Sequence, residues 1–497
     1  EGGYQVLGNQ DLALAVDVSS ESISVTRIDE REVILLGRMV SELVAPGEAL
    51  NWAVSAVVDG RYDELKTLQG VFALIIVDWA AQTVHVVSDL LGIQPFYVAT
   101  REGITILSDR AEAACRLGGA KLDPLGLAGW MYFRHPLANR TLFESVERYA
   151  PATVSVFDGQ SVRKEEYWDP LIAEEPIDRE ELMDGLYEDF RRSLARLLAP
   201  YDSGTVTLSG GFDSRLCLLT AIRENLVDLD AVTYPSSQGE RGVVDRLVDL
   251  TGIECVEVDP KRSSLEHDAL WYSHPDGFWR WRNLCYLCAT HFTEPRLYVD
   301  GSLSSVSVRT HAGDPEDGPP ASPTEAKEYV FDTHTRQQST KNFIFAEPHA
   351  RVEMLARYAA DEQSEALDWN SKFCFRWNAY TDERRNIACN FLQYADIAPS
   401  VQPFYDRAMM ERRLRHPNTL FTDDFYRALL KRKFPGPGGL PHEHDLPKAK
   451  VTKYQFRWTL WSQLPAIARF VRRHRDVFRS NWILPRILGY GFGRRSH

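Results

Sequence analysis

Residues 207–215 read Thr207-Leu208-Ser209-Gly210-Gly211-Phe212-Asp213-Ser214-Arg215. Ahead of them Gly204-Thr205-Val206 is a short β-branched run suited to a buried strand, and behind them Leu216-Cys217-Leu218-Leu219-Thr220-Ala221-Ile222 suits a buried helix. The stretch is therefore the turn of a strand–turn–helix unit. Adjacent glycines let the backbone turn tightly and come close to a ligand, and the new helix aims its free N–H groups and positive end at that turn. An anion is expected there, with Ser209 and Ser214 adding hydroxyl donors. Asp213, a carboxylate beside an anion site, makes chemical sense holding Mg²⁺ directly or through water.

Ser209-Gly210-Gly211-Phe212-Asp213-Ser214 resembles the pyrophosphate loop (PP-loop) of the ATP pyrophosphatases. It lacks the Gly-Lys-Ser/Thr ending of the kinase-type phosphate loop. The resemblance implies ATP as cofactor, with Mg²⁺, and cleavage between the α and β phosphates to give an adenylated substrate and pyrophosphate.

The 497 residues predict two domains. A content of 44% hydrophobic and 26% charged residues is that of a globular chain. No run of about 18 apolar residues occurs and no secretory signal is visible, so no membrane span and a cytoplasmic location are expected. Seven scattered Cys, an odd number, read as reduced thiols. Cys285 and Cys288 with His291 have no second pair at zinc spacing, so no metal site is assigned to them. The net charge of −13 is unevenly spread: residues 446–497 carry 12 Lys and Arg against one acid, Asp476, leaving a strongly acidic body.

Residues 13–18, 71–78 and 83–88 are strand-like, and Trp79-Ala80-Ala81-Gln82 reads as the hairpin turn between the last two. The order of Gly70-Val71-Phe72-Ala73, Asp78, Ser88-Asp89-Leu90-Leu91-Gly92, Ile106-Leu107-Ser108, Leu142-Phe143-Glu144 and Ala150-Pro151-Ala152 is similar to the glutaminase domain of asparagine synthetases. That family uses an N-terminal cysteine as nucleophile, its free amine acting as base. Here the sequence opens Glu1-Gly2-Gly3-Tyr4, its first Cys is Cys115, and Ser88 stands where the family has Arg before the Asp. The resemblance then implies a glutaminase-like scaffold, residues 1–165, without glutaminase activity.

Residues 169–176 read as a linker, and 180–198 as an amphipathic helix with Leu182, Leu186, Phe190, Leu194 and Leu197 on one face. After the loop come a strand at 230–234, a helix at 239–250 and a strand at 255–258. The alternation predicts a doubly wound parallel sheet with ligand at the carboxyl ends of its strands, which makes Thr233 and Tyr234 candidate nucleotide contacts. The expected fold class is thus α/β: an N-terminal α+β glutaminase-like sandwich, then a parallel-sheet PP-loop domain over 180–445 with C-terminal helices, then a basic, aromatic-rich helical tail over 446–497.

Tyr298-Val299-Asp300-Gly301 falls where the family carries a strand followed by Gly-x-Gly-x-Asp-Glu, but Ser304 and Ser305 replace the acidic pair. Gly301 is a candidate nucleotide contact, and Asp300 a candidate Mg²⁺ ligand beside Asp213. Residues 311–327, rich in Pro, Gly and acid, predict a long mobile loop that could serve as a lid. Asp382-Glu383-Arg384-Arg385-Asn386 leads into a helix, and Pro403-Phe404-Tyr405-Asp406 resembles the Pro-Phe-Leu-Asp segment of the family. In the segment 425–432, Arg427 stands where the family's Lys-x-x-Leu-Arg pattern has a charge-stabilising lysine, with Lys431 and Lys433 as fallbacks. Arg427 and Lys431 are the candidate catalytic cations.

The tail could lie on an anionic membrane surface, bind an acidic partner or fold back on the acidic body. Nothing in it resembles a nucleic-acid reading module. The whole resembles an asparagine synthetase-type ATP-dependent amide ligase, a group that includes β-lactam synthetases and lasso peptide cyclases. Small-molecule or peptide carboxylate and amine substrates follow from that resemblance, and the alternatives are a catalytically idle nucleotide-binding scaffold and asparagine synthesis itself. The sequence sets no oligomeric state.

Overall fold

The computed structural model describes residues 4–8, 13–17, 22–101, 104–118, 121–159, 161–176, 178–234, 238–258, 271–273, 279–281, 296–309, 320–336, 349–365, 367, 372–393, 395, 398–442 and 445–446. The candidate zinc residues, the segment 310–319 and the tail from 447 onward lie outside them.

In the N-terminal half, β1 (Ile23–Ile28), β2 (Arg31–Gly37), β3 (Phe72–Asp78), β4 (Thr83–Ser88), β5 (Thr153–Phe157) and β6 (Val162–Glu166) form an antiparallel sheet in sequence order. β3 reads Phe-Ala-Leu-Ile-Ile-Val-Asp without polar alternation because both of its faces are covered. Leu74 and Ile76 pack in one core cluster with Ala53 and Val57 of the helix α1 (Ala49–Val58), while Ala73, Ile75 and Val77 pack in another with Phe96 and Tyr149. The β3–β4 turn is the hairpin expected at 79–82: Asp78 Oδ1 accepts from the amides of Ala80 (3.1 Å) and Ala81 (2.9 Å), and Gln82 takes φ 54°. A three-stranded sheet centred on Tyr97–Arg101 accompanies it.

The second half begins with α2 (Arg179–Leu198), whose first turn is capped by Asp178 accepting from Glu180 N (2.7 Å) and Glu181 N (3.2 Å). Its buried positions are those of the expected apolar face, with Leu182, Leu186, Phe190 and Leu194 fully enclosed. Next come β7 (Ser203–Thr207), α3 (Phe212–Glu224), β8 (Asp228–Thr233), α4 (Gln238–Thr251), β9 (Cys255–Glu257), β10 (Tyr298–Val299) and, far along the chain, β11 (Ser400–Val401). These strands make one parallel sheet in the order β9-β8-β7-β10-β11. The chain winds outward from β7 to β9 and then returns to the other side of β7 as β10. That reversal is the topological switch point of a doubly wound sheet. The fold is therefore α/β, an antiparallel N-terminal sheet followed by a parallel sheet with helices.

One expectation is corrected. The loop predicted over 311–327 ends sooner, because Pro323–Arg336 is a helix, α5. Ser322 Oγ accepts from Glu325 N (3.2 Å) and Glu325 reaches back to Ala321 N (2.9 Å), with Pro323 in the first turn. This is a capping box with proline where its missing N–H costs nothing, and it outweighs the Pro-rich composition. The helix expected from 382 is also present but begins earlier, as α6 (Phe373–Asn378) continuing into the π-helical stretch Ala379–Ile387.

The two halves share one hydrophobic core, in which Leu74, Ile76 and Leu91 cluster with Tyr298, Leu303, Phe391 and Tyr405. Asp89 is the polar knot of that contact. It accepts from the amides of Phe72 (3.2 Å), Ile93 (2.9 Å) and Gln94 (2.9 Å) and from the Tyr405 hydroxyl (2.5 Å), which in turn accepts from Leu91 N (2.7 Å). The π-helical stretch adds a second tie: Arg384 donates to Gly92 O (3.0 Å) and Asn139 Oδ1 (3.1 Å), and Arg385 to Ala138 O (2.6 Å) and Arg140 O (2.8 Å).

Candidate functional site

The switch point between β7 and β10 brings two loops together. After β7, Ser209, Gly210 and Gly211 turn the chain into α3, with Gly211 in extended conformation (φ −78°, ψ 175°) as the residue before the helix. No side chain caps that end. Ser209 and Ser214 brace the turn from inside: Ser209 N donates to Ser214 Oγ (3.1 Å), the two hydroxyls lie 3.1 Å apart, and Gly211 N donates to Ser209 Oγ (3.2 Å). The serines thus hold the loop's shape. The amides of Phe212, Asp213 and Ser214, in the first turn, lack intrahelical partners by the geometry of any helix start.

After β10, Gly301 lies against that first turn. A Cβ added to it would stand 3.0 Å from Ser214 N and 3.1 Å from Asp213 Cβ, so the close approach needs glycine. Asp300 is 3% exposed, and its Oδ1 accepts from Ser302 N (2.7 Å), shaping the turn that follows. Ser304 and Ser305, in the short helix Ser304–Val306, divide between two carboxylates: Ser304 faces Asp213, and Ser305 hydrogen-bonds Glu383 of the π-helical stretch.

Asp213 is the ionisable centre of this arrangement. Burial pushes its carboxyl above the ordinary range, and Arg309 foremost, with the Ser304 and Tyr426 hydroxyls, pulls it back. Arg309 Nη1 stands 3.9 Å from Asp213 Oδ2, while Arg309 Nε pairs with Asp423 at 3.2 Å. Asp213 Oδ1 and the Tyr426 hydroxyl are enclosed without a hydrogen bond of normal geometry among the described residues. Tyr426 itself is fully buried.

Thr233 ends β8, the neighbour of β7. It is 3% exposed, and its hydroxyl has no hydrogen-bond partner among the described residues. Tyr234, the next residue, is half-buried against the core. Arg427, on α7 (Asp423–Lys433), is brought to the start of α3: its guanidinium lies 5.3 Å from the Phe212 ring centre and pairs with Asp445 at 2.8 Å. Lys431, one turn further on, is exposed beside Gly439, and Lys433 pairs with Asp184 at 2.5 Å.

Several neighbours of the loop carry no sequence signal. Arg215, fully buried, donates to Gly210 O (3.1 Å), Leu440 O (2.7 Å) and Pro441 O (2.9 Å), which ties residues 440–442 over the turn. Burial lowers its pKa to about 10. His442 follows, 4% exposed, with its ring 4.5 Å from that of Phe212 and Nε2 3.9 Å from where a Gly211 Cβ would stand. Arg309 and His442 reach the loop from separate segments of the chain, in no recognisable spacing. Only Tyr426, next to Arg427 in a segment already singled out, was within reach of sequence reasoning.

The donor set was tested against Mg²⁺. No group of three or more His, Cys, Asp or Glu side chains comes together to hold a metal among the described residues. Asp213 is the one candidate carboxylate at the helix start, held among Ser304, Tyr426 and Arg309, and a single carboxylate suits an ion carried in with oxygen ligands and water of its own rather than one resident in a protein cage.

Residues 54–168 match the glutamine amidotransferase domain family, so the N-terminal region is glutamine amidotransferase-like. No curated protein sequence matches the chain. Among solved structures, glutamine phosphoribosylpyrophosphate amidotransferase from B. subtilis, complexed with ADP and GMP, is 11% identical with a TM-score of 0.21, over 56% of this chain and 57% of that one. A structure titled the allosteric regulatory enzyme of purine biosynthesis is 10% identical with a TM-score of 0.22, over 71% of this chain and 75% of that one. The chain thus spans little more than half the length of the first, and likenesses this remote bear on neither the site nor its chemistry. Among the described residues no helix is long and apolar enough to cross a membrane.

Proposed function

We propose that the crevice between β7 and β10 binds ATP and that the chain is an ATP-dependent amide-forming ligase of the asparagine synthetase type. One observation carries the reading: an uncapped helix start, shaped by Ser209 and Ser214 and approached to contact distance by Gly301, at the switch point of a doubly wound sheet. In this reading the amides of Gly210, Phe212 and Asp213 take the charge of the departing pyrophosphate, and the Thr233 hydroxyl donates to the nucleoside end of ATP. Mg²⁺ travels with the nucleotide and lowers the repulsion among its oxygens, with Asp213 as its protein ligand. The carboxylate substrate attacks the α-phosphate, an amine then displaces AMP, and much of the acceleration comes from holding the reactants side by side. Arg427 supplies positive charge at the helix start.

The amine in this proposal is ammonia or a substrate amine, and glutamine as nitrogen source is the competing case. Pyrophosphate release, measured with panels of carboxylates and amines and compared with Asp213→Ala, tests the ligase, and glutamate release from glutamine tests the competing nitrogen source. Ligase activity requires pyrophosphate release by the unaltered chain and at least a 10-fold fall in the variant, about 1.4 kcal/mol of transition-state stabilisation. A second reading, a nucleotide-binding scaffold without turnover, is favoured by the seryl pair at 304 and 305. It predicts ATP binding with no pyrophosphate released under any substrate combination.

A further inference from the structure

Arg309 is the cation nearest the carboxylate at the heart of the loop, and its geometry is not that of a finished salt bridge. At 3.9 Å from Asp213 Oδ2 its terminal nitrogen is beyond hydrogen-bond range, so the donors on that side of the guanidinium are not consumed by Asp213. Its backbone is held in place: Arg309 N donates to Ser304 O (3.1 Å), Val308 N to the same carbonyl (2.8 Å), and Val308 is 1% exposed. The guanidinium is therefore presented by a braced turn, the same turn whose residues 304 and 305 are serines.

Opposite it, the hydroxyls of Ser304 and of the fully buried Tyr426 face Asp213, whose Oδ1 is enclosed between them and the core. A site with one carboxylate, that of Asp213, recruits little metal charge, yet a triphosphate brings several negative oxygens.

We infer that Arg309 supplies to the β and γ phosphates of ATP the positive charge that a fuller set of carboxylates would otherwise recruit as metal ions. The guanidinium turns from Asp213 and Asp423 onto phosphate oxygens, where its planar donors fit two oxygens at once. Nucleotide binding then depends only weakly on divalent cations, and the dependence becomes steep when Arg309 is removed. This inference rests on the nucleotide reading of the loop, and the test separates the two.

The test is equilibrium binding of ATP and of AMP to the full chain, each with Mg²⁺ and with EDTA, for the unaltered protein and for Arg309→Ala, Arg309→Lys and Asp423→Asn. The unaltered chain should bind ATP in EDTA within about 3-fold of its affinity in Mg²⁺, and Arg309→Ala should lose about 10- to 100-fold in EDTA, the range of a charge-assisted hydrogen bond. Mg²⁺ should restore most of that loss, Arg309→Lys should retain part of the affinity, and AMP binding should be the same in all variants. An equal loss of AMP and ATP, no loss of either, or the same loss in Asp423→Asn overturns the assignment, since each makes Arg309 a structural tie or a bystander. So does loss of ATP binding in EDTA by the unaltered chain while AMP still binds. Failure of the unaltered chain to bind either nucleotide in any condition overturns the nucleotide reading itself, and the inference with it.

Discussion

Two aspartates, Asp89 and Asp213, end up in surroundings that differ as a keystone differs from a tool. Burial pushes both carboxyls above the ordinary range. Asp89 is 1% exposed and both its oxygens are saturated, by three amides and the Tyr405 hydroxyl, so its desolvation is offset within the protein. Asp213 faces a guanidinium at 3.9 Å and the Ser304 and Tyr426 hydroxyls, and its side chain is 26% exposed. The first arrangement is complete without a ligand and joins two halves of the molecule. The second is incomplete in a way that a bound cation or a donor would finish. Burial alone therefore does not mark a functional carboxylate, and the role proposed for Asp213 rests on its place at the switch point of the parallel sheet.

The contrast can be broken by mutation. Asp89→Ala leaves three amides and a tyrosine hydroxyl without their acceptor, and the expected cost is about 3–5 kcal/mol, read from the denaturant midpoint. A loss no greater than that of Asp213→Ala would erase the distinction between them.

Asp406 sharpens it from a third side. Burial raises its carboxyl to about 6, against Met409 N and Arg196, which pull it down. The folded chain then holds a proton that the unfolded chain releases between about pH 4 and pH 6, so stability falls as pH rises through that window. The expected fall is about 3 kcal/mol, and Asp406→Asn, which can still accept from Met409 N, should flatten it in a series of melts. A wild-type curve that rises across the same window would count against the burial-driven shift.

Thr422 caps α7, accepting from Phe425 N at 3.2 Å, and so steadies the helix that presents Tyr426 and Arg427 to the loop. Thr422→Ala should cost about 1 kcal/mol and weaken ATP binding alongside, both measurable on one preparation. The smallest change in stability belongs to Asp213→Ala. Removing a partly exposed carboxylate should leave the midpoint within about 0.5 kcal/mol of the unaltered chain, while pyrophosphate release is lost. A large destabilisation would make Asp213 another Asp89.

Much of the fold was legible along the chain. The alternation of β-branched runs with apolar-faced helices anticipated β7, β8, α4 and β9 to within a residue or two, because each of these elements buries a face that local periodicity records; α3 was anticipated too, but it begins at Phe212, inside the stretch read as the turn. The capping box at Ser322 was legible too, but the Pro and Gly around it masked it. β11 could not have been anticipated: it is a two-residue strand, Ser400–Val401, that earns its place only by pairing with β10 across a hundred residues of chain. The Asp89–Tyr405 contact, which spans 316 residues of chain, was equally hidden.

What the sequence by itself determined is the local chemistry: a Gly-Gly turn between strand and helix, a glycine after β10, serines where acids were expected, and the strand-to-helix order that makes a parallel sheet. Tertiary structure alone decided which distant side chains meet at that turn. Arg309, Tyr426 and His442 arrive there because the winding of the sheet places the ends of separate segments at one edge. Periodicity encodes which face of an element is buried, through the regular geometry of helix and strand. It carries no information on what that face meets, since packing partners are chosen by shape and charge across the folded molecule.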